Sequence, residues 1–367
     1  MENATFGEKF RALLATGRVA NLPTVWSNVL VVFWLSSELR SFTSLGAPSD
    51  PAHYYVLIIA CVAASLLYIG GCWLGDCRDA EFDRIHRSNR PIPKGILSAG
   101  KLAIFAGLFL LFGILLGSIN LLITWVISNW EYRNQGMLDV VFSDRIIMLI
   151  PLHQVCATIL LATCIVLYAF LHKKNRPLAL TLMASCRGLL VIFAFALAYV
   201  ILPSFWGHNP FEIKLYWLKP WIVLWALTVA AYTFLLSWVA STESNNTPFS
   251  KRNLLGAALL LLPAISLATT YMQVINLDWM GIAEVSPRAI IIGSPLFYGA
   301  IIILYLAWIF FALRALKQSK PRFVSMALAG FCLLDACFAA TYSICIALIC
   351  LALFLLALLL QKFTPAT

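Results

Sequence analysis

Tyr54 to Lys94 reads YYVLIIACVAASLLYIGGCWLGDCRDAEFDRIHRSNRPIPK. Residues 54 to 75 carry no charge. They are long enough to cross the hydrocarbon core of a bilayer as a helix, which takes about 20 residues at roughly 1.5 Å each. From Asp76 onward the same stretch holds four acids and five bases. An apolar run that ends so abruptly in charge reads as a membrane span meeting water.

Outward from this stretch the whole chain has the same character. Of 367 residues, 62% are apolar or aromatic and only 11% charged, against about 45 to 50% and 25% in soluble domains. With a mean hydropathy of +0.88, this composition excludes a soluble globular surface, disorder, a collagen-like fibre and a secreted disulfide scaffold. Stretches long enough to cross a bilayer run from 19 to 37, 54 to 75, 101 to 120, 146 to 171, 178 to 202, 220 to 241, 253 to 273, 291 to 316 and 323 to 362. The last is twice the length of a span and can break near Ala340 to Ser343, so nine or ten helices are expected. The connection from 121 to 146 leaves room for an interfacial helix at Leu121 to Trp130. The expected fold is an all-α polytopic membrane bundle forming a single domain over 1–367. Residues 1 to 18 contain Glu2, Glu8, Lys9, Arg11 and Arg18 without an apolar core, so no cleavable signal peptide is expected.

The formal charge is +10, and its distribution matters more than its sum. With the N-terminus placed in the cytoplasm, 18 Lys and Arg fall on cytoplasmic connections and 6 on the opposite face. That bias supports an inside N-terminus and a cytoplasmic acidic segment, in an integral multi-pass protein of the bacterial inner membrane. The basic rim suits membrane lipids, and no nucleic-acid partner is expected. Most of the ten cysteines lie inside apolar runs, Cys61, Cys156, Cys164, Cys186, Cys345 and Cys350 among them, and Cys72 and Cys77 lack a second pair at metal-ligand spacing. No structural disulfide or zinc site is expected.

If the helix of span 2 continues past the membrane surface, Asp76, Asp79 and Asp83 fall at i, i+3 and i+7, on one face within about 60°, while Glu81 points elsewhere. Three carboxylates stacked at a helix C-terminal end oppose each other and the helix dipole, so they need a cation. Mg²⁺ suits oxygen ligands shared with phosphate. A plainer reading pairs Asp83 with Arg87 at i+4 and Glu81 with Arg84 at i+3, leaving a solvated juxtamembrane helix. Against it, Arg87 and Arg90 fall near the acidic face, where acids beside arginines suit a diphosphate. Pro91 and Pro93 predict an extended exit.

These residues resemble the first aspartate-rich motif of the UbiA superfamily of intramembrane prenyltransferases, which include the 4-hydroxybenzoate polyprenyltransferases. The likeness rests on Asp76, Asp79 and Asp83 followed by Arg90-Pro91-Ile92-Pro93. It is supported by Gly17-Arg18-Val19-Ala20-Asn21-Leu22-Pro23-Thr24 and by Ala184-Ser185-Cys186-Arg187-Gly188-Leu189. Gly75 stands where the family has Asn. The second motif, Ser241 to Thr247, offers the single carboxylate of Glu243 beside Asn245 and Asn246, as in the EboC-like subset with a degenerate second motif. The family's Tyr-x-x-x-Lys pattern is shifted, with Tyr168 followed by His172 and Lys173.

The resemblance implies transfer of a prenyl group from a polyprenyl diphosphate to a small lipophilic or aromatic acceptor. Asp76, Asp79 and Asp83 would hold Mg²⁺ as catalytic carboxylates, and Glu243 would join them as the one candidate general base on the second motif. Arg18, Asn21, Arg87, Arg90, Tyr168, Lys173, Arg187 and Asn246 would contact substrate. The alternative is a non-catalytic UbiA-like transporter or lipid-binding protein. Independently of the family, Arg187 lies about nine residues into span 5, a costly depth for a charge. Pairing with Asp335, or snorkelling to the rim, would make it structural instead. Asp335 itself reads as a partner or as a hydrogen-bonded core acid. Arg18, Asn21 and Asn28 share one face of span 1, suiting a polar cavity wall or helix-to-helix adhesion.

Overall fold

The computed structural model describes residues 5–41, 51–119, 140–200, 220–241, 295–340 and 343–364. Among them are eleven α-helices and no strand. The helices are α1 (Phe6–Thr16), α2 (Leu22–Ser41), α3 (Pro51–Arg78), α4 (Ala80–His86), α5 (Ala99–Gly117), α6 (Val140–Leu171), α7 (Arg176–Val200), α8 (Pro220–Ala240), α9 (Pro295–Leu316), α10 (Lys320–Ala339) and α11 (Ile344–Phe363). A 3-10 turn, Val19–Asn21, precedes α2. Eight of the described helices are long and apolar enough to cross a membrane, and the chain is an integral membrane protein. The run expected to start at 19 is the 3-10 turn followed by α2. The expected span at 253 to 273 and the interfacial helix at Leu121 to Trp130 lie outside the described residues. The long final run is two helices, α10 and α11, with the Ser343 hydroxyl accepting the Ile346 N–H at the start of the second. All ten cysteines are free thiols.

The residues group into two compact units, one of 1–12 and 32–230 and the other of 13–31 and 231–367. In the first, α3 packs along α5 at a distance set by two glycines. A Cβ on Gly70 would lie 3.1 Å from the Ala106 carbonyl oxygen, and one on Gly113 would lie 2.8 Å from Leu67 Cγ. Small residues allow such close approach where the hydrophobic effect gives helices little reason to associate in lipid. The end of α5 is sealed by α6: the buried side chains of Gln154 and Thr158 both donate to the Gly117 carbonyl, at 2.8 and 3.1 Å. They satisfy a helix-terminal acceptor that lipid would leave bare.

In the second unit, the start of α2 meets α10. Asp335 is fully buried; Ser27 Oγ donates to its Oδ2 at 2.5 Å, and Asn28 Nδ2 lies 2.7 Å from each of its oxygens. Asp335 is thus a hydrogen-bonded core acid, the second of the roles expected for it. Tyr232 on α8 donates to the Ala327 carbonyl at 2.7 Å over Gly330, where a Cβ would sit 2.8 Å from the phenol oxygen. Ahead of α2, Arg18 adopts a left-handed backbone, φ 47° and ψ 43°, which costs a non-glycine residue about 1–2 kcal/mol.

Candidate functional site

The acidic face forms at the end of α3. Helical hydrogen bonding runs through the junction with α4: Asp79 N–H donates to the Gly75 carbonyl at 3.0 Å and Asp83 N–H to the Asp79 carbonyl at 2.8 Å. Because the helical rise continues, Asp76 and Asp83 come to one side as the i, i+7 spacing predicts. Asp83 is only 2% exposed, while Glu81 is exposed.

Arg90 closes this face. Its Nη1 lies 2.9 Å from Asp83 Oδ2 and 3.4 Å from Asp76 Oδ1, so one guanidinium joins two carboxylates. It reaches them because the chain folds back after α4, and here the expected extended exit is corrected. Residues 91–95 form consecutive turns, with Lys94 N–H on the Arg90 carbonyl, Gly95 N–H on Ile92 and Ile96 N–H on Pro91. Proline fixes φ near −65°, which suits a turn as well as an extended strand. The N–H groups that Pro91 and Pro93 lack are not needed by these bonds. Gly95, at φ 76°, supplies the left-handed step that ends them. The local pairing of Asp83 with Arg87 does not form. Arg87 is exposed and outside the cluster.

Asp79 turns instead to the end of α6. Lys173 Nζ is 2.7 Å and His172 Nε2 3.1 Å from Asp79 Oδ1. The opposite ring nitrogen, Nδ1, lies 3.1 Å from the Tyr168 carbonyl, and the Tyr168 ring stacks on the imidazole at 5.3 Å. Lys173 also lies over the Phe82 ring at 3.9 Å. Burial raises the Asp79 pKa, but the hydrogen bonds and charges of His172 and Lys173 together outweigh it, so the carboxyl titrates below its ordinary range. The hydrogen bond to Asp79 raises His172, against the opposing effect of burial. His172 is the site residue that the sequence reading did not select. Its signal was available, since it lies four residues beyond Tyr168, one turn along the same helix face.

The other expected residues are placed as follows. Arg187 is 9% exposed within α7. Arg18 and the buried Asn21 belong to the second unit. Glu243 and Asn246 lie outside the described residues. No three His, Cys, Asp or Glu side chains converge as a metal-binding group among the described residues. Asp76 and Asp83 converge as a pair, and Asp79 is held apart. The pair nevertheless suits a hard cation in kind. Both carboxylates already face one shared positive charge, and buried Asp83 Oδ1 has no hydrogen-bond donor among the described residues.

The UbiA prenyltransferase family matches residues 15–130. The digeranylgeranylglyceryl phosphate synthase of Methanoculleus marisnigri (strain ATCC 35101 / DSM 1498 / JR1) is 38% identical over 80 residues. That alignment covers 22% of this chain and spans about a quarter (27%) of the length of the relative. No solved structure matches the chain. His172, Lys173 and Arg187 lie beyond the matched segment. The segment matched to the UbiA prenyltransferase family, residues 15–130, contains Asp76, Asp79, Asp83 and the Arg90 to Pro93 turn.

Proposed function

We propose that the chain is a membrane prenyltransferase that moves a prenyl group from a polyprenyl diphosphate to a small lipophilic or aromatic acceptor. The observation that carries this reading is the convergence of Asp76 and Asp83 on one cation within the family-matched segment, beside an unbonded buried oxygen of Asp83. The reading treats 1–367 as one functional domain, with its N-terminus and acidic face in the cytoplasm of a bacterial inner-membrane protein.

Mg²⁺ would be held by Asp76 and Asp83 and would supply Lewis-acid stabilisation of the diphosphate leaving group; Asp79 would join as the third carboxylate only by turning away from His172 and Lys173. The chain's own cations do the rest of the anion binding. Arg90 can exchange its carboxylate partners for phosphate oxygens, for which a planar guanidinium is suited. Lys173 is half-exposed and brings a mobile point charge, and Arg87 stands free on the rim to meet an incoming anion. Arg187 adds a buried positive charge, where low dielectric strengthens its attraction for an anion. His172 and Lys173 keep Asp79 ionised, as a cation ligand must be. Departure of the diphosphate leaves an allylic carbocation at the prenyl C1. The apolar helices exclude water, so the acceptor attacks first. Glu243 is the acid on the second motif assigned to the acceptor proton.

Binding of a non-hydrolysable prenyl thiodiphosphate to the purified protein, titrated with Mg²⁺, tests this. Asp76→Ala and Asp83→Ala should each weaken Mg²⁺-dependent binding at least tenfold, while Glu81→Ala, off the face, should leave it within twofold. Equal losses from Glu81→Ala and Asp76→Ala would end the assignment of this face. Binding without transfer to any acceptor would favour the non-catalytic reading, to which the lone carboxylate of the second motif already points.

A further inference from the structure

The segment between α9 and α10 carries Arg314, Lys317, Lys320 and Arg322 within nine residues. From Pro295 to Leu334 the chain has no acid at all. This concentration of charge lies outside the family-matched segment and takes no part in the site described above. Between the two helices the structure opens a notch of about 360 Å³, lined by Trp308, Phe311, Arg314, Gln318, Arg322 and Met326, with Ala315 at its floor. Its size lies within the range of small-ligand sites, about 300–1,000 Å³.

The notch is built on a fixed scaffold. Trp308 donates its indole N–H to the Met326 carbonyl at 2.9 Å, and its ring meets Phe354 of α11 edge-on at 4.8 Å. Gln361 near the end of α11 donates to the Ser325 carbonyl at 3.1 Å, tying α11 to the start of α10. The wall is thus apolar and rigid towards the interior of the spans. At its outer end Arg314, Gln318 and Arg322 are exposed, and neither arginine has an acidic partner among the described residues. One end demands an anion with several acceptor oxygens, and the other demands hydrocarbon. Both demands meet at the end of two spanning helices, at the depth where headgroups join acyl chains.

We propose that this notch binds an anionic membrane phospholipid, its phosphate on Arg314 and Arg322 and the first part of an acyl chain along Phe311, Trp308 and Met326. Gln318 supplies a neutral donor to the same headgroup. The expected occupant is a lipid rather than free phosphate because the apolar wall is continuous with the charged end.

Native mass spectrometry of the full chain in detergent, titrated with phosphatidylglycerol, tests the site. Wild type should retain phosphatidylglycerol in preference to phosphatidylcholine. Arg314→Gln and Arg322→Gln should each weaken that adduct about fivefold, and the double change about 25-fold, the scale expected of single basic residues at a membrane surface. Phe311→Ala should weaken it too, without removing charge. Lys94→Gln and Lys101→Gln, exposed bases of the first unit, should leave it unchanged. All five replaced side chains are exposed, so folding is not at stake. Coincident titrations of the double variant and wild type would overturn the proposal. So would an equal loss from Lys94→Gln, which would mean diffuse surface attraction. Displacement by an equal concentration of inorganic phosphate, with Phe311→Ala unaffected, would assign the notch to a free anion and refute the lipid.

Discussion

Asp79 illustrates how much a single contact can rearrange. As a bare acid at the C-terminal end of a helix it would be repelled by its neighbours and by the dipole. His172 and Lys173 cancel that repulsion, and the resulting shifts run in opposite directions. Asp79, with its pKa lowered from 3.8, contributes stability that is fully present above 3.8 and is lost as pH falls through its folded value. His172, with its pKa raised from 6.5, contributes stability that is fully present below 6.5 and is lost as pH rises through its folded value. Their joint contribution is therefore complete between pH 3.8 and 6.5. His172→Gln should destabilise the purified protein by about 1–2 kcal/mol in that window. The deficit should shrink as pH rises beyond it. Thermal unfolding of both proteins from pH 4 to 8 checks this, and a pH-independent difference would mean that the imidazole acts through packing instead.

At the scale of elements, helix packing in this protein depends on what is absent from a few side chains. Gly70 and Gly113 face α5 and α3 within van der Waals distance, whereas a Cβ on Gly107 would meet nothing within 4 Å. Gly70→Val should therefore cost about 1–3 kcal/mol through overpacking against the Ala106 carbonyl, which cannot swing aside as a side chain could. Gly107→Ala should be neutral or slightly stabilising, since it removes only the helix penalty of glycine. The midpoints of unfolding of the two variants separate close packing from helix propensity. The turn after α4 offers a parallel case. Gly95→Ala forces a left-handed backbone on an L-residue and should cost about 1–2 kcal/mol. It should also weaken the Arg90 bridge, read as a looser Mg²⁺-dependent binding of the diphosphate analogue.

For the molecule as a whole, two long-range features decide the arrangement. The second unit brings Ser27 and Asn28 to Asp335, 308 and 307 positions away. Asp335→Ala would take the shared carboxylate acceptor away from the buried Ser27 and Asn28 side chains and should cost about 1–3 kcal/mol, seen as early unfolding in detergent; Asp335→Asn should retain part of that stability. Sidedness is the other feature. Single cysteines at the exposed positions Arg84, Lys174 and Lys317, in a background cleared of reactive thiols, should be labelled only from the cytoplasmic side. Labelling of position 84 from outside intact cells would reverse the orientation derived from the basic rim.

What the sequence by itself determined is whatever depends on composition and local periodicity. An 11% charged, 62% apolar chain must lie in a bilayer. Runs of about 20 apolar residues are its helices, and the i, i+7 spacing alone brings Asp76 and Asp83 to one face. The break ahead of Ser343 was legible for the same reason, since the final run is twice the length of a span. Partner choice was not legible. Arg87, four residues from Asp83, had the local claim to it, yet Arg90 took it, because the turn through Pro91 to Gly95 returns the chain to the helix. Asp79 found its cations 93 and 94 residues away in the turn that follows α6, and Asp335 found its donors at the start of α2. Hydropathy and spacing report the free energy of a segment against its solvent, which is a local quantity. Which charge meets which depends on how helices pack, and only the tertiary structure contains that.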